Sequence, residues 1–401
     1  MSAPPPSARS ILFNRRFIAL LAVSFLSSFV SSPLYALLPV YVESDLNRSP
    51  LFSAGLRALF LILGGIFAVP AGRLADHWGV KPTYVLGTIG PILAGIVFLT
   101  GDPFLLAALC IGVGISFGFN SAGGQSYLIS AAPSSIIGIA SAGYFLGNTL
   151  GTASGNLFAG PIAESLGFYA LGWIACLASA ILFIGAVLLL PSIPPTERNP
   201  QENRSLFGSF HLLRRSDVRL LLGIRYLPTC YWGAVTLLIP LLLFRITGTK
   251  TAATNFSAVS LSLAACFQLL TGRLCDRIGR WRPILVSASL VTLSALGLAL
   301  TGHTLTGLYA FGILASASAW SLSTTMPGLL QLIGGETEKG RVVGLAHLVW
   351  SLGMLSGNLG GGKLIDWGPA IPFGIAVFFC LGALLCGIGL YRQYGTKEIA
   401  N

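Results

Sequence analysis

Charge is what this sequence has least of. Asp, Glu, Lys and Arg together make 9% of 401 residues, against roughly 25% in a soluble domain, which excludes an ordinary soluble enzyme. Acidic residues are the scarcer sign, 13 against 24 basic, and none falls near the middle of an apolar run. Glu43, Asp45, Glu164 and Asp366 sit at run ends and the others in loops or tails. The four histidines are scattered, no H-E-x-x-H occurs, and the seven cysteines form no C-x-x-C pair. Neither a zinc site nor a disulfide framework is therefore indicated, no metal ligand set is assigned, and no hydrolase constellation is present. No Gly-x-y triplet repeat runs through the chain, and its hydrophobicity excludes a disordered polymer. The residues assign no catalytic role.

Apolar residues make up 54% of the chain, mean hydropathy is +0.79, and 49 glycines and 22 prolines are spread among them. That combination suits helices packed in lipid, which use small residues at contacts and tolerate breakers. A bilayer crossing needs roughly 20 mainly apolar residues. Such runs fall at 17–42, 51–71, 82–100, 103–129, 136–162 and 168–190, then at 218–245, 253–271, 283–301, 305–333, 342–365 and 369–391. They are numbered spans 1 to 12. The expected organisation is a disordered cytoplasmic tail at 1–16, a six-helix bundle at 17–190, a cytoplasmic linker at 191–217, a second bundle at 218–391 and a cytoplasmic tail at 392–401. The first run is too long for the core of a signal peptide and is read as a span. With both termini in the cytoplasm, 18 of the 24 basic residues fall on that side, as the positive-inside rule requires. The net charge of +11 thus reads as a topology signal and not as a nucleic-acid surface.

The two halves repeat. Leu37-Leu38-Pro39 matches Leu238-Ile239-Pro240, and the loop after span 2, Gly72 to Lys81 (GRLADHWGVK), matches the loop after span 8, Gly272 to Arg282 (GRLCDRIGRWR). Gly138, Gly147, Gly151 and Gly155 are matched to Gly344, Gly353, Gly357 and Gly361, an offset of 206. A parallel repeat of this kind predicts a polar site at midplane between two bundles, worked by alternating access.

The repeated loop, G-x-L-x-D-x-x-G followed by basic residues, resembles the cytoplasmic signature of the major facilitator superfamily (MFS). With the six-plus-six count the resemblance covers nearly the whole chain. It implies an all-α membrane fold of twelve transmembrane helices in two parallel-related bundles. It also implies a gating motif made here of Gly72, Asp76, Gly79 and Lys81, and of Gly272, Asp276, Arg277, Gly279 and Arg280. In the family that loop aspartate locks the cytoplasmic side closed; a carboxylate at a helix N-terminus is stabilised by the helix dipole. The first copy departs from the pattern at His77 and Val80. Span 5 carries Gly143, Gly147, Gly151 and Gly155, then Gly160-Pro161, one close-packing face that resembles the signature of the family's exporters. Ala163-Glu164 departs from its ending. Ala108 stands in span 4 where those exporters carry an arginine, so their usual route of proton coupling is not carried over.

Gly357 to Leu364 (GNLGGGKL) nearly fits a phosphate-binding loop, but no Ser or Thr follows Lys363 and no strand precedes it. Candidates for the substrate pathway are the deep ionisable residues Arg57, Arg225 and His347, with Asn120, Asn148, Tyr231, Trp232, Trp320 and Trp350. Snorkelling of the arginines and plain packing of the others are the competing readings. The sequence is read as a secondary transporter of a small organic solute, with export as the first direction. The alternatives are an uptake permease for a small organic anion and a non-transporting receptor on the same fold. No cofactor is expected beyond coupling to protons or another ion gradient. The expected partners are the lipid bilayer and a small molecule, no nucleic acid, with a monomer in a plasma or bacterial inner membrane.

Overall fold

The computed structural model describes residues 15–131, 137–193 and 212–398. Among these residues it is helical throughout, with no strand. The helices are α1 (Arg15–Ser44), α2 (Pro50–Trp78), α3 (Val80–Gly87), α4 (Gly90–Val97), α5 (Pro103–Ala131), α6 (Ile137–Leu189), α7 (Ser216–Thr247), α8 (Lys250–Ile278), α9 (Trp281–Thr301), α10 (Leu305–Leu364) and α11 (Ala370–Glu398). Ten stretches among the described residues are long and apolar enough to cross a bilayer. The count differs from twelve at two places. Spans 5 and 6 form one stretch, Gly143–Leu189, 47 residues long, which at 1.5 Å per residue is about 70 Å, twice a bilayer core. Gly167 breaks it with φ +80°. Span 11 continues α10 and is not among the ten.

Large apolar side chains stand exposed on these helices, Phe104, Ile181, Leu188 and Phe378 among them, as lipid-facing helices require. Prolines sit inside several of them, at Pro33, Pro39, Pro70, Pro161, Pro228 and Pro240. Span 3 is split into α3 and α4 because Pro91 lies in the first turn of α4. Proline lacks an amide hydrogen and its ring clashes with the carbonyl four residues back, here Gly87, the last residue of α3.

The chain divides into two compact units: Met1–Tyr41 with Leu59–Arg198, and Val42–Ala58 with Asn199–Asn401. The second unit thus includes the end of α1, its following turn and the start of α2. Inside that unit the segment is tied by an Arg245–Glu43 ion pair with two contacts (2.6 and 2.5 Å) and by Lys250–Asp45 at 3.9 Å.

The internal repeat is written in the backbone. Six described residues have positive φ: Asn47, Gly79, Gly167, Gly248, Gly279 and Gly368. They pair as Asn47 with Gly248, Gly79 with Gly279, and Gly167 with Gly368, at offsets of 200 or 201. Side chains other than Asn and Asp strain in this region, so these points fix where each half turns. The pairs rule out the offset of 206 for spans 5 and 11, and the sequence around the glycines gives 202. Leu150-Gly151-x-x-Ser154-Gly155-Asn156-Leu157 matches Leu352-Gly353-x-x-Ser356-Gly357-Asn358-Leu359. Packing agrees. In the first unit a Cβ on Gly151 or Gly155 would strike the carbonyl oxygen of Phe25 or Phe29 on α1. In the second, a Cβ on Gly353 or Gly357 would meet the carbonyl oxygen of Tyr226 or Cys230 on α7. Phe25 to Tyr226 and Phe29 to Cys230 are again offsets of 201.

Candidate functional site

Arg225 lies nine residues into α7, about 14 Å along its axis. Its Nη1 donates to Ser323 Oγ at 3.3 Å, and its guanidinium carbon stands 6.0 Å from the centroid of the Trp350 ring. His347, one turn before Trp350, is close enough to interact electrostatically with Arg225. No carboxylate pairs with Arg225 among the described residues. Among the described residues the guanidinium is held by a hydroxyl and an aromatic face, which leaves its charge available to a ligand. Two turns further along α7, on the face that carries Arg225, Trp232 meets Trp320 edge to face with centroids 6.5 Å apart. Trp320 precedes Ser323 by one turn of α10. Tyr226 Oη and Ser356 Oγ, 3.0 Å apart, join α7 to the second half of α10.

Arg57 does not snorkel. It is 3% exposed; its Nε donates to Asn358 Oδ1 at 2.9 Å and its Nη2 to Thr236 Oγ1 at 3.1 Å, all within the second unit. Asn358 Nδ2 donates in turn to the Met354 carbonyl at 2.7 Å. Thr236 is eleven residues beyond Arg225, which at 100° per residue returns to the same face of α7, about 16 Å away.

The first unit brings Asn148 and Asn120 onto one face of α1. Asn148 Oδ1 accepts from Ser24 Oγ (2.7 Å) and Ser28 Oγ (2.9 Å), and Asn120 Nδ2 donates to Ser27 Oγ at 3.3 Å. This network is neutral.

Tyr231 does not share the face of α7 that carries Arg225. It is fully buried in the second unit's apolar core, its hydroxyl 2.9 Å from Ser294 Oγ, because six residues after Arg225 turns it away from that face. In the repeated motif, Gly79 and Gly279 end α2 and α8 with φ of 95° and 80°. The side chains of Asp76 and Asp276 lie outside the described residues. Arg280 Nη1 donates to the Gly328 carbonyl on α10 at 2.8 Å; Lys81 is half-buried and Arg277 exposed, while Gly272 has open space around it. Gly143 and Gly147 continue the packing face toward Phe17 and Leu21, 3.6 and 3.9 Å from a virtual Cβ, and Gly160 and Pro161 lie inside α6. The segment that resembled a phosphate loop is helix through Leu364, with Gly357 seated against α7.

Sequence reasoning missed one polar cluster. Asp217, buried at the start of α7, accepts from Arg215 (3.2 and 2.8 Å), from the Tyr394 hydroxyl (2.6 Å) and from its neighbour's amide. Arg215 also reaches the Ile333 carbonyl at 2.9 Å. Both charges read as ordinary linker residues, since Tyr394 and Ile333, to which they bond, lie more than a hundred positions away.

The Major Facilitator Superfamily profile matches residues 20–357. The chain belongs to that superfamily. It is a membrane-embedded, multi-pass transporter and not an enzyme. The probable nitrate transporter NarT of Staphylococcus haemolyticus (strain JCSC1435) is 25% identical over 382 residues, covering 91% of this chain and 94% of that protein. An MFS-type transporter of Gibberella moniliformis (strain M3125 / FGSC 7600) is 30% identical over 132 residues, 32% of each chain. Among solved structures, the nucleoside transporter NupG superposes with a TM-score of 0.77 at 16% identity, over 94% of this chain and 99% of that one. A POT family transporter in complex with 5-aminolevulinic acid gives 0.74 at 14% identity, over 95% and 96%. These likenesses establish the MFS fold.

Proposed function

We propose that this MFS protein is a secondary transporter of a small anion, moved by alternating access, with Arg225 as the residue that holds the anion. The observation that carries the reading is a guanidinium deep in a bilayer-crossing helix with no carboxylate partner among the described residues. Placing such a charge at the bilayer centre costs at least about 2.5–3.5 kcal/mol, and an anionic ligand offsets that cost. NarT, similar along most of the chain, is named as a probable nitrate transporter, which supports an anionic substrate. The distribution of Lys and Arg supports cytoplasmic termini, and flux coupled to protons or another ion gradient accompanies this reading. The linker at 191–217 then lies on the cytoplasmic face.

The export direction first expected for an organic solute rested on the glycines of span 5. Those glycines now have a packing role against α1 that any direction of flux requires. The test is anion flux in proteoliposomes of known orientation. Wild type should move an anion, Arg225→Ala should lose that flux at least a hundredfold, and Arg225→Lys should keep part of it if charge alone matters. Equal flux in wild type and Arg225→Ala would remove the reading. Comparing right-side-out with inside-out vesicles reads the direction.

A further inference from the structure

Resting on the anion reading, we infer that the substrate is an organic carboxylate with a flat apolar body, and that the indole N–H of Trp320 is a second donor to its carboxylate. Trp320 Nε1 is buried and has no hydrogen-bond partner among the described residues. A buried donor without an acceptor is costly and rare. It lies one helical turn before Ser323, which holds the Arg225 guanidinium at 3.3 Å, and residues three apart on a helix are neighbours. An indole N–H and a guanidinium can only donate, and the Ser323 hydroxyl adds another donor. Such a set fits an acceptor-only group. A carboxylate has two oxygens and can take a donor on each.

The walls argue for the rest of the molecule. Trp350 faces the guanidinium at 6.0 Å, and the Trp232 ring stands edge-on to Trp320 at 6.5 Å. One indole over the cation, and a pair of indoles that begins one turn of helix from the serine holding it, give apolar area that a small inorganic oxyanion would leave unused. A planar ring attached to the carboxylate would cover it, and sites built this way orient ligands with few polar groups. Trp320 is a specificity-determining residue on this account, distinct from Arg225, which supplies the charge.

Benzoate and nitrate are the probes, with purified full-length protein in liposomes. Wild type should transport benzoate with a kcat/KM at least tenfold above that for nitrate. Trp320→Phe keeps a ring and removes the N–H; it should raise the KM for benzoate about tenfold with kcat within twofold. If that variant does not fold, competition decides: benzoate and cyclohexanecarboxylate should outcompete nitrate, benzoate most strongly. Preference for nitrate over benzoate, or an unchanged benzoate KM in Trp320→Phe, would overturn the inference while leaving Arg225 as the anion site. Benzoate and nitrate fluxes that are both unaffected by Arg225→Ala would overturn the underlying reading as well.

Discussion

The two repeats place the same backbone positions at their centres and fill them with opposite chemistry. At offsets of 201 and 202, Ser24 corresponds to Arg225 and Asn148 to Trp350. In the first repeat these positions form a Ser–Asn hydrogen bond of 2.7 Å; in the second they form a guanidinium over an indole at 6.0 Å. The same α1–α6 and α7–α10 contacts, closed by glycines on carbonyl oxygens, hold both pairs. A repeated scaffold has therefore been kept where packing decides and changed where a ligand could decide. Ser24 and Asn148 satisfy each other, so nothing in that pair calls for a partner. Arg225 and Trp320 are not satisfied in that way, and on this contrast we place the proposed site in the second repeat.

The largest expected effect comes from removing the contrast. Arg225→Ser with Trp350→Asn rebuilds the first repeat's pair in the second, and anion flux should fall at least a hundredfold with the fold intact. Ser24→Ala should cost no more than a few-fold, since one neutral hydrogen bond contributes about 1 kcal/mol and Ser28 still donates to Asn148. Flux in proteoliposomes, with melting in detergent as the folding control, reads both. Comparable losses in the two experiments would show that the repeats share the site equally.

The next effect tests the scaffold. Gly357→Val should lower the melting temperature or abolish expression, because its Cβ would overlap the Cys230 carbonyl. Overpacking of this kind costs about 1–3 kcal/mol, occasionally more. Gly151→Val should do the same against Phe25. Gly360→Ala, with nothing within 4 Å of its Cβ, should change melting little.

Much of the fold was legible because the bilayer imposes a length on apolar runs, and charge is costly enough inside them that Arg225 stands out. The register of spans 5 and 11 was not. Glycines at every fourth position match themselves after any shift of four, so a periodic pattern cannot fix an offset. The aperiodic Ser-Gly-Asn-Leu can, and the left-handed Gly167 and Gly368, within one residue of the same offset, exclude a shift of four. Partners across long separations were equally hidden. Nothing near Arg57 in sequence points to Thr236 or Asn358, and nothing near Asp217 points to Tyr394. Trp320 stood out only as one more aromatic; its unsatisfied N–H is a property of the packed structure.

The smallest expected effect concerns the repeated loops, where the halves differ again. Arg280 bonds the Gly328 carbonyl at 2.8 Å, whereas Val80 at the matching position is buried in the first unit's apolar core. The second loop is therefore pinned by a polar contact that the first replaces with packing. A partly exposed hydrogen bond from a charged donor contributes about 1 kcal/mol here, worth roughly fivefold in the population of the closed loop. Arg280→Ala should raise the rate at which a membrane-impermeant maleimide alkylates Cys275, the half-buried thiol in the last turn of α8, by about that factor in inside-out vesicles. Val80→Ala should lower melting by one large-to-small core substitution and leave Cys275 labelling unchanged. If Val80→Ala speeds the labelling as much as Arg280→Ala does, the two loops are held in the same way and the asymmetry ends at Arg225.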